Sequence, residues 1–591
     1  MTRFALFLSS LLLLAFALAP AAAQEEIMPT FVPIGAGYTD TFDGFVAAAR
    51  PYVETNAFER VYILMMPISF SYDANVLTAA DLLDNSLAIE RRRRQLENAC
   101  ADVIADLPCE VVVPPLWTRE AALEALALDY FTDDLAAVYF VGGDQTIAMQ
   151  IIADTPVESA LADAYARGVV MGGNSAGLAI QSRAMIGGYL GDFGPETGLH
   201  AGAVDMWNET EGADGAPPRR GLAFGLQNAI VEQHFWERAR ISRALNAMAL
   251  PDTPNVTVGV DSYTGVLIRD DALVSDVFGL YGAAILDAET LGAADNATFV
   301  GDILSIRDVI VHLLPAGDYG YSLVNRVLTF TDALVESGAP IAIRTPNSAR
   351  SLALWSGLAA GIGAGEVVLE SATPHLVIVT GYADPATAEA VGAVYAGASE
   401  TEIFYLDSGD TLPDLSGYRT VTIHAGDVTL IPVEPLAPVR DYWLNGGALI
   451  LDDAAALLAG VHYANLPPVP YDSDDDLLIE AALQGALLEG GTPIAEGWGL
   501  IDANIEVAVM DDNRFARLFA LAASAPERPT LGLSIGTMID VGHEVVFVSP
   551  ASVNGVYALS FADALISVGA NGGIGVANGL LDVFAPGEDI Q

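Results

Sequence analysis

Lysine is absent from this chain. All 25 basic residues are arginines, against 76 Asp and Glu, for a formal net charge of -51 over 591 residues. That balance excludes a general nucleic-acid binder, because neutralising phosphates takes clustered basic side chains. The acidic field attracts cationic substrates, and it serves solubility equally well. Cysteine is scarce too. Cys100 and Cys109 alone rule out a disulfide-dense scaffold and a four-cysteine zinc site. They leave two options, a bond tying a helix end to the next strand or a pair of buried thiols. No H-E-x-x-H, P-loop or cysteine cluster occurs, so the sequence asks for no metal or organic cofactor. Beyond the first residues, no uncharged apolar run reaches the ~18 residues of a membrane helix.

What is present is apolar and ordered. Hydrophobic residues make up 52%, enough for large cores, and the length suggests two to four domains. Arg3, the apolar run from Phe4 to Leu18 and the small residues Ala21 to Ala23 predict a signal peptide over residues 1–23. The expectation is an exported soluble protein, secreted or periplasmic. Apolar runs at 59–66, 109–113, 136–141 and 168–171 alternate with Ala/Leu-rich helical segments. Continuous apolar strands joined by helices imply an α/β fold, its parallel sheet covered on both faces. In such folds ligands bind at the carboxyl ends of the strands.

The chain also repeats itself. VYFVGGDQTI (138–147) has a partner in VTIHAGDVTL (421–430), and GLQNAIVEQHFWERARISR (225–243) in GLIDANIEVAVMDDNRFAR (499–517). RGVVMGGNSAG (167–177) lies against GGALILDDAAA (446–456), and LLPAGD (313–318) against VFAPGE (583–588). The order is kept while offsets drift by a few residues, which predicts two copies of one fold. The expected organisation is residues 24–320, a connecting segment at 321–365, and a second copy over 366–591. In this alignment Ala454 stands opposite Ser175, Ala508 opposite His234 and Val428 opposite Gln145. The second copy therefore reads as the fold without the catalyst.

In the first copy, Gly173-Asn174-Ser175-Ala176-Gly177 fits G-x-S-x-G between a buried strand and a helix. Small neighbours let the backbone turn sharply and lift the hydroxyl out of the sheet. A serine needs a base, and His234 is the best placed of His200, His234 and His312. The base needs a carboxylate, for which Asp192 is the leading candidate and Glu196 the alternative. Gly143, ending another apolar strand, and Ala176 are the expected backbone donors of an oxyanion hole.

Together FVGGDQ, GGNSAG, EQHFxxRxRxxR and VGVD resemble the cyanophycinase branch of the serine peptidases of family S51, across about residues 45–320. The resemblance implies a three-layer sandwich with a parallel sheet, related to class I glutamine amidotransferases (flavodoxin-like), which the internal repeat predicts in tandem, and hydrolysis of aspartyl bonds by serine, histidine and an acid. It places the nucleophile on Ser175, the histidine on His234 and the acid on Asp192. It puts substrate contacts on Gln145 and Glu232, with Gln233 adjacent and Arg238, Arg240 and Arg243 downstream. Asn174, Asp192, Glu232 and Ser262 depart from the residues common at those places, which bears on recognition of an arginine branch. The expected substrate is a peptide with aspartyl residues, with or without an Arg branch as in cyanophycin, with no nucleic-acid partner and no membrane span. Three other readings stand beside it: an aspartyl dipeptidase for short peptides, a secreted non-catalytic binding protein, and an α/β-hydrolase esterase.

Overall fold

The computed structural model describes residues 28–329, 352–356, 374–396, 401–541 and 546–590. The expected signal peptide, and the expected connecting segment apart from 321–329 and 352–356, lie outside them. The fold is α/β, as the alternation of apolar runs and helical segments implies.

The first half is built on five parallel strands: β1 (Thr30–Ile34), β2 (Val61–Met66), β3 (Cys109–Val112), β4 (Leu135–Phe140) and β5 (Val170–Asn174). Their order is β3-β2-β4-β5-β1. Every residue of β2 and β4 is buried, as expected where helices cover both faces. Those helices are α1 (Thr39–Thr55), α2 (Ala79–Val103), α3 (Gln145–Ile152) and α4 (Pro156–Arg167). Local signals fix their ends. Thr78 and Asp81 form a reciprocal capping box at the start of α2. Thr155 caps α4, Pro156 takes its first position, and Gly168 ends it in the left-handed region at φ 101°. Cys100 and Cys109 are bonded, tying the last turn of α2 to the start of β3.

The sheet then turns antiparallel. Strand β1 pairs with β8 (Thr264–Arg269) and β8 with β9 (Leu273–Asp287). Strand β9 also pairs with β7 (Val256–Val260), which lies parallel to β6 (Ile230–Glu232). Finally, β9 pairs with the long β10 (Ile303–Ser322).

The second half lays out its strands in the same way. Strands β11 (Leu352–Trp355), β12 (His375–Thr380), β13 (Thr401–Tyr405), β14 (Thr420–Ala425) and β15 (Ala448–Asp453) run parallel in the order β13-β12-β14-β15-β11. Strands β16 (Asn504–Val507) and β17 (Thr530–Leu533) pair in parallel, as β6 and β7 do. The halves meet where β10 pairs antiparallel with β21 (Ile574–Phe584), Ile310 opposite Leu580. One apolar cluster draws on both, with Phe235, Trp236 and Leu245 packed among Phe515, Phe519 and Tyr557.

The shared layout corrects one residue of the sequence alignment. Ser175 sits at φ 53°, ψ -115°, and in the second half the matching backbone belongs to Asp453, at φ 53°, ψ -131°. The register agrees, since Asn174 pairs with Ile34 and Asp452 with Trp355 at equivalent strand ends. Asp453, not Ala454, occupies the place of Ser175.

Candidate active site

Ser175 follows β5 and precedes the single turn α5 (Ala176–Ala179). Positive φ is unusual for serine, and the surroundings hold it there. The Ser175 N–H donates to the Ile34 carbonyl at 3.0 Å, and the Ser175 carbonyl accepts from Leu178 and Ala179 at 2.9 and 3.0 Å. Its flanking glycines are required by space. A Cβ on Gly173 or Gly177 would fall on the carbonyl oxygen of Phe140 at the end of β4. The junction therefore lifts the serine side chain to the carboxyl edge of the sheet, half-buried and reachable.

His234 follows β6, also at positive φ, 47°. Its turn is fastened to β7: the Phe235 N–H donates to the Val260 carbonyl, and the Asp261 carboxylate accepts from the N–H groups of Trp236 (3.2 Å) and Glu237 (3.4 Å). The imidazole spans to the nucleophile, Nε2 lying 3.0 Å from Ser175 Oγ. Its other nitrogen, Nδ1, lies 2.7 Å from Glu237 Oε2. Ser262 Oγ stands 3.3 Å from Nδ1 and donates a short hydrogen bond to the same carboxylate oxygen. With Glu237 accepting the Nδ1 proton, Nε2 carries the lone pair that faces the hydroxyl.

The acid expected at Asp192 is thus not where the structure puts it. Asp192 and Glu196 are exposed, and the carboxylate on His234 comes from three residues further along the same turn. The motif EQHFWE contained it. An i, i+3 pair in a tight turn reaches its partner without any long-range folding, whereas among the described residues the polar contacts of His234 are Ser175, Glu237 and Ser262, with neither Asp192 nor Glu196 among them.

Burial lowers the His234 pKa from its ordinary value near 6.5; Glu237 opposes this, and Arg238 and Arg240 add to it. Glu237 is held below the usual range by His234 and both arginines, against a burial effect of opposite sign. The pair rests as neutral imidazole beside carboxylate, the state a general base needs.

Around this line the expected contact residues divide. Gly143 ends β4's loop at φ 152°, and a Cβ there would strike the Ser69 carbonyl oxygen. Asn174 Oδ1 accepts from the Gly142 N–H at 3.0 Å and from Tyr139 Oη at 3.2 Å, locking this loop to the serine turn. Ala176 directly follows Ser175, and Gly143 directly follows the tethered Gly142. Gln145 is buried at the start of α3 and donates to the carbonyls of Ile186 and Gly187, on the hairpin strand Met185–Tyr189.

Glu232 departs from its expected role. Both its oxygens are taken by Arg243, at 3.0 and 2.8 Å, and both partners are buried. A carboxylate so engaged has no free face for substrate, and the pair fixes β6 to α6 (Ile241–Met248). Arg238 is exposed, 3.8 Å from Glu237. Arg240 is different. It stands near the Tyr189 ring, 5.7 Å to the centroid, its buried Nε has no hydrogen-bond partner among the described residues, and burial with the neighbouring Arg243 depresses its pKa to about 10. The buried Oε1 of Gln233 likewise has no partner among the described residues. Arg240 is a cation held in a low-dielectric place beside the catalytic pair.

No family model matches the chain. Over 190 residues it is 27% identical to a cyanophycinase of Geminocystis herdmanii, covering 32% of this chain and 63% of that protein. Over 193 residues it is 28% identical to a cyanophycinase of Trichormus variabilis, covering 31% and 56%. The chain thus spans about half to two-thirds of the length of these curated relatives. Among solved structures it is similar to a peptidase from an acI-B1 Actinobacterium, at 17% identity and TM-score 0.33 over 44% of this chain and 92% of that one. A putative peptidase E from Listeria monocytogenes gives 13% and 0.25 over 41% and 95%. In sequence, about a third of the chain is cyanophycinase-like.

Proposed function

We propose that this protein is an exported serine peptidase that hydrolyses aspartyl or β-aspartyl peptide bonds, with two copies of one fold and its catalyst in the first. The observation that carries the reading is the continuous line Ser175 Oγ, His234 Nε2, His234 Nδ1, Glu237 Oε2, with spacings of 3.0 and 2.7 Å. His234 takes the serine proton as Oγ attacks the carbonyl carbon, and Glu237 stabilises the imidazolium that forms. The N–H groups of Gly143 and Ala176 receive the developing oxyanion. His234 then returns the proton to the leaving amine, and water, activated by the same base, releases the acyl group from Ser175.

Arg240, a cation without a salt-bridge partner among the described residues, suits the free carboxylate of an aspartyl residue, while the acidic net charge of the chain favours a cationic remainder. That combination describes β-aspartyl-arginine units, the linkage of the polymer that gives the relatives their name. Ser175→Ala should abolish hydrolysis and leave the thermal midpoint nearly unchanged. Incubation with cyanophycin and with Asp-X and isoAsp-X dipeptides, read by product mass, separates a polymer-cleaving enzyme from a dipeptidase. Retained turnover in Ser175→Ala refutes the assignment.

A further inference from the structure

The second half does not simply lose the polar residues of the first. At the carboxyl ends of its parallel strands it gains others. His424 stands where the first half has Val141, Asp452 where it has Asn174, Asp453 where it has Ser175, and Tyr382 where it has Phe70. Equivalent bonds fix the last match, for the Asp144 N–H donates to the Ser69 carbonyl and the Asp427 N–H to that of Gly381. Three strand ends, β12, β14 and β15, thus converge new side chains on the position where this architecture binds ligands.

Their arrangement is specific. His424 is buried and places Nδ1 2.9 Å from Asp452 Oδ2. Asp452 is fully buried, and Tyr395, at the end of α7 (Pro385–Tyr395), donates to the same oxygen at 2.6 Å. Asp452 Oδ1 accepts from the Asp453 N–H at 3.0 Å. This fixes the imidazole tautomer with its proton on Nδ1, so the Nε2 lone pair points away from Asp452 and towards Tyr382 and Asp453. There Nε2 lies 3.6 Å from Asp453 Oδ2 and 2.6 Å from Tyr382 Oη, and the Asp453 side chain is 28% exposed. A carboxylate behind a histidine, with the second nitrogen turned to other oxygen donors, is the usual support of a metal-ligating imidazole, and here an entering ion would displace the Tyr382 hydrogen bond at Nε2. Zinc-type bonds of about 2.0–2.2 Å at tetrahedral angles put ligand atoms roughly 3.3–3.5 Å apart, close to the Nε2-to-Asp453 separation.

We propose that the strand ends of the second half form a binding site for a divalent transition-metal ion of the zinc type, with His424 Nε2 and the Asp453 carboxylate as ligands and the Tyr382 hydroxyl at its edge. Asp452 is a positioning residue that orients His424. Imidazole with carboxylate and phenol oxygen selects this class of ion over calcium or magnesium, which favour all-oxygen shells. So few protein ligands leave coordination positions for water, the character of an open centre rather than a closed structural one. Scanning for contiguous metal motifs could not find it, because each ligand comes from a different strand.

The test is zinc binding by the full chain after chelator treatment, by calorimetry in excess calcium and magnesium to occupy surface carboxylates, with cobalt absorption as a second readout. One zinc ion per chain is expected, with cobalt giving the visible bands of a nitrogen- and oxygen-ligated ion. Asp453→Asn, a conservative change at a partly exposed side chain, should weaken binding at least tenfold with an unchanged thermal midpoint. Asp452→Asn should weaken it about 10- to 100-fold through His424 alone. Ser175→Ala should bind zinc as the unmodified chain does, which separates this site from the peptidase reading. Absence of a zinc site surviving competition, or undiminished affinity in Asp453→Asn, overturns the proposal.

Discussion

His234 is the residue on which the proposed chemistry turns, and its two nitrogens make separable predictions. Glu237→Gln keeps the shape of the turn but removes the charge that fixes the tautomer, so kcat should fall about 10³–10⁴-fold with the fold intact. Asp192→Ala should leave turnover close to the unmodified level; a collapse there, with Glu237→Gln active, would restore the acid expected from sequence. The base must be unprotonated, and burial lowers the His234 pKa from its ordinary value near 6.5. The acid limb of kcat/KM should therefore fall below pH 6.5. Because Glu237 raises that pKa, Glu237→Gln should move the limb further down, and a limb above pH 7 would contradict the geometry. Ser175 and His234 are legible in the sequence because a serine set between glycines, directly after an apolar strand, marks a junction shaped to expose a hydroxyl. Glu237 is not, since nothing in a linear motif shows which way a turn aims its acids. Glu232 misleads for a related reason: pairing with Arg243 depends on the helix that follows, which returns the guanidinium onto the strand end.

At the scale of elements, the site depends on short junctions whose backbones have no room to give. Gly177 is the second residue of the single-turn helix α5, packed on β4, and Gly177→Ala would drive a methyl group into the Phe140 carbonyl. The turn must open or Ser175 must move, so activity should drop by at least 10²-fold, and fluorophosphonate labelling of Ser175 should slow in parallel. Undiminished labelling would show that the junction is softer than its packing implies. The second half also reaches this region. Asn513, in the place of Ala239, donates from Nδ2 to the carbonyls of Trp236 (2.7 Å) and Glu237 (2.8 Å). Both Asn513 and Ala239 hold positive φ, so the loops mirror each other across the joint. Asn513→Ala should lower kcat about tenfold with little change in KM, and restoring the amide with a longer Gln should recover little, since the bonds are short and buried. Sequence periodicity finds the strands and helices because each buries a whole run of apolar side chains. It cannot find this cross-half bond, whose partners lie some 276 positions apart and carry no pattern.

For the whole molecule, the question is whether the halves are independent bodies joined by a tether. The repeat in the sequence suggests separable copies, but the packing argues otherwise. Strand β10 has β21 along one edge, with Ile306, Val309, Ile310 and Leu313 paired across to the second half. Behind that ribbon, Trp236 lies 5.0 Å from Phe519, and Phe515 5.0 Å from Tyr557, whose hydroxyl is 2.8 Å from Ser242 Oγ. Phe235 and Trp236 directly follow His234 in sequence, so the core beneath the catalytic turn is shared. Full exposure of each such side chain costs about 1.5–3 kcal/mol, and an ordinary domain has only about 5–15 kcal/mol of stability to lose. A chain ending at residue 329 would uncover several of them at once, along with the unpaired edge of β10. It should therefore be insoluble or molten and fail to react with a fluorophosphonate, whereas the full chain should unfold in one transition seen alike by peptidase activity and by near-ultraviolet circular dichroism. Two resolved transitions, or a soluble truncated chain that still labels at Ser175, would show that the first half needs no partner. The opposite result gives the second half a physical task that requires no catalyst: it supplies the missing wall of the active-site core.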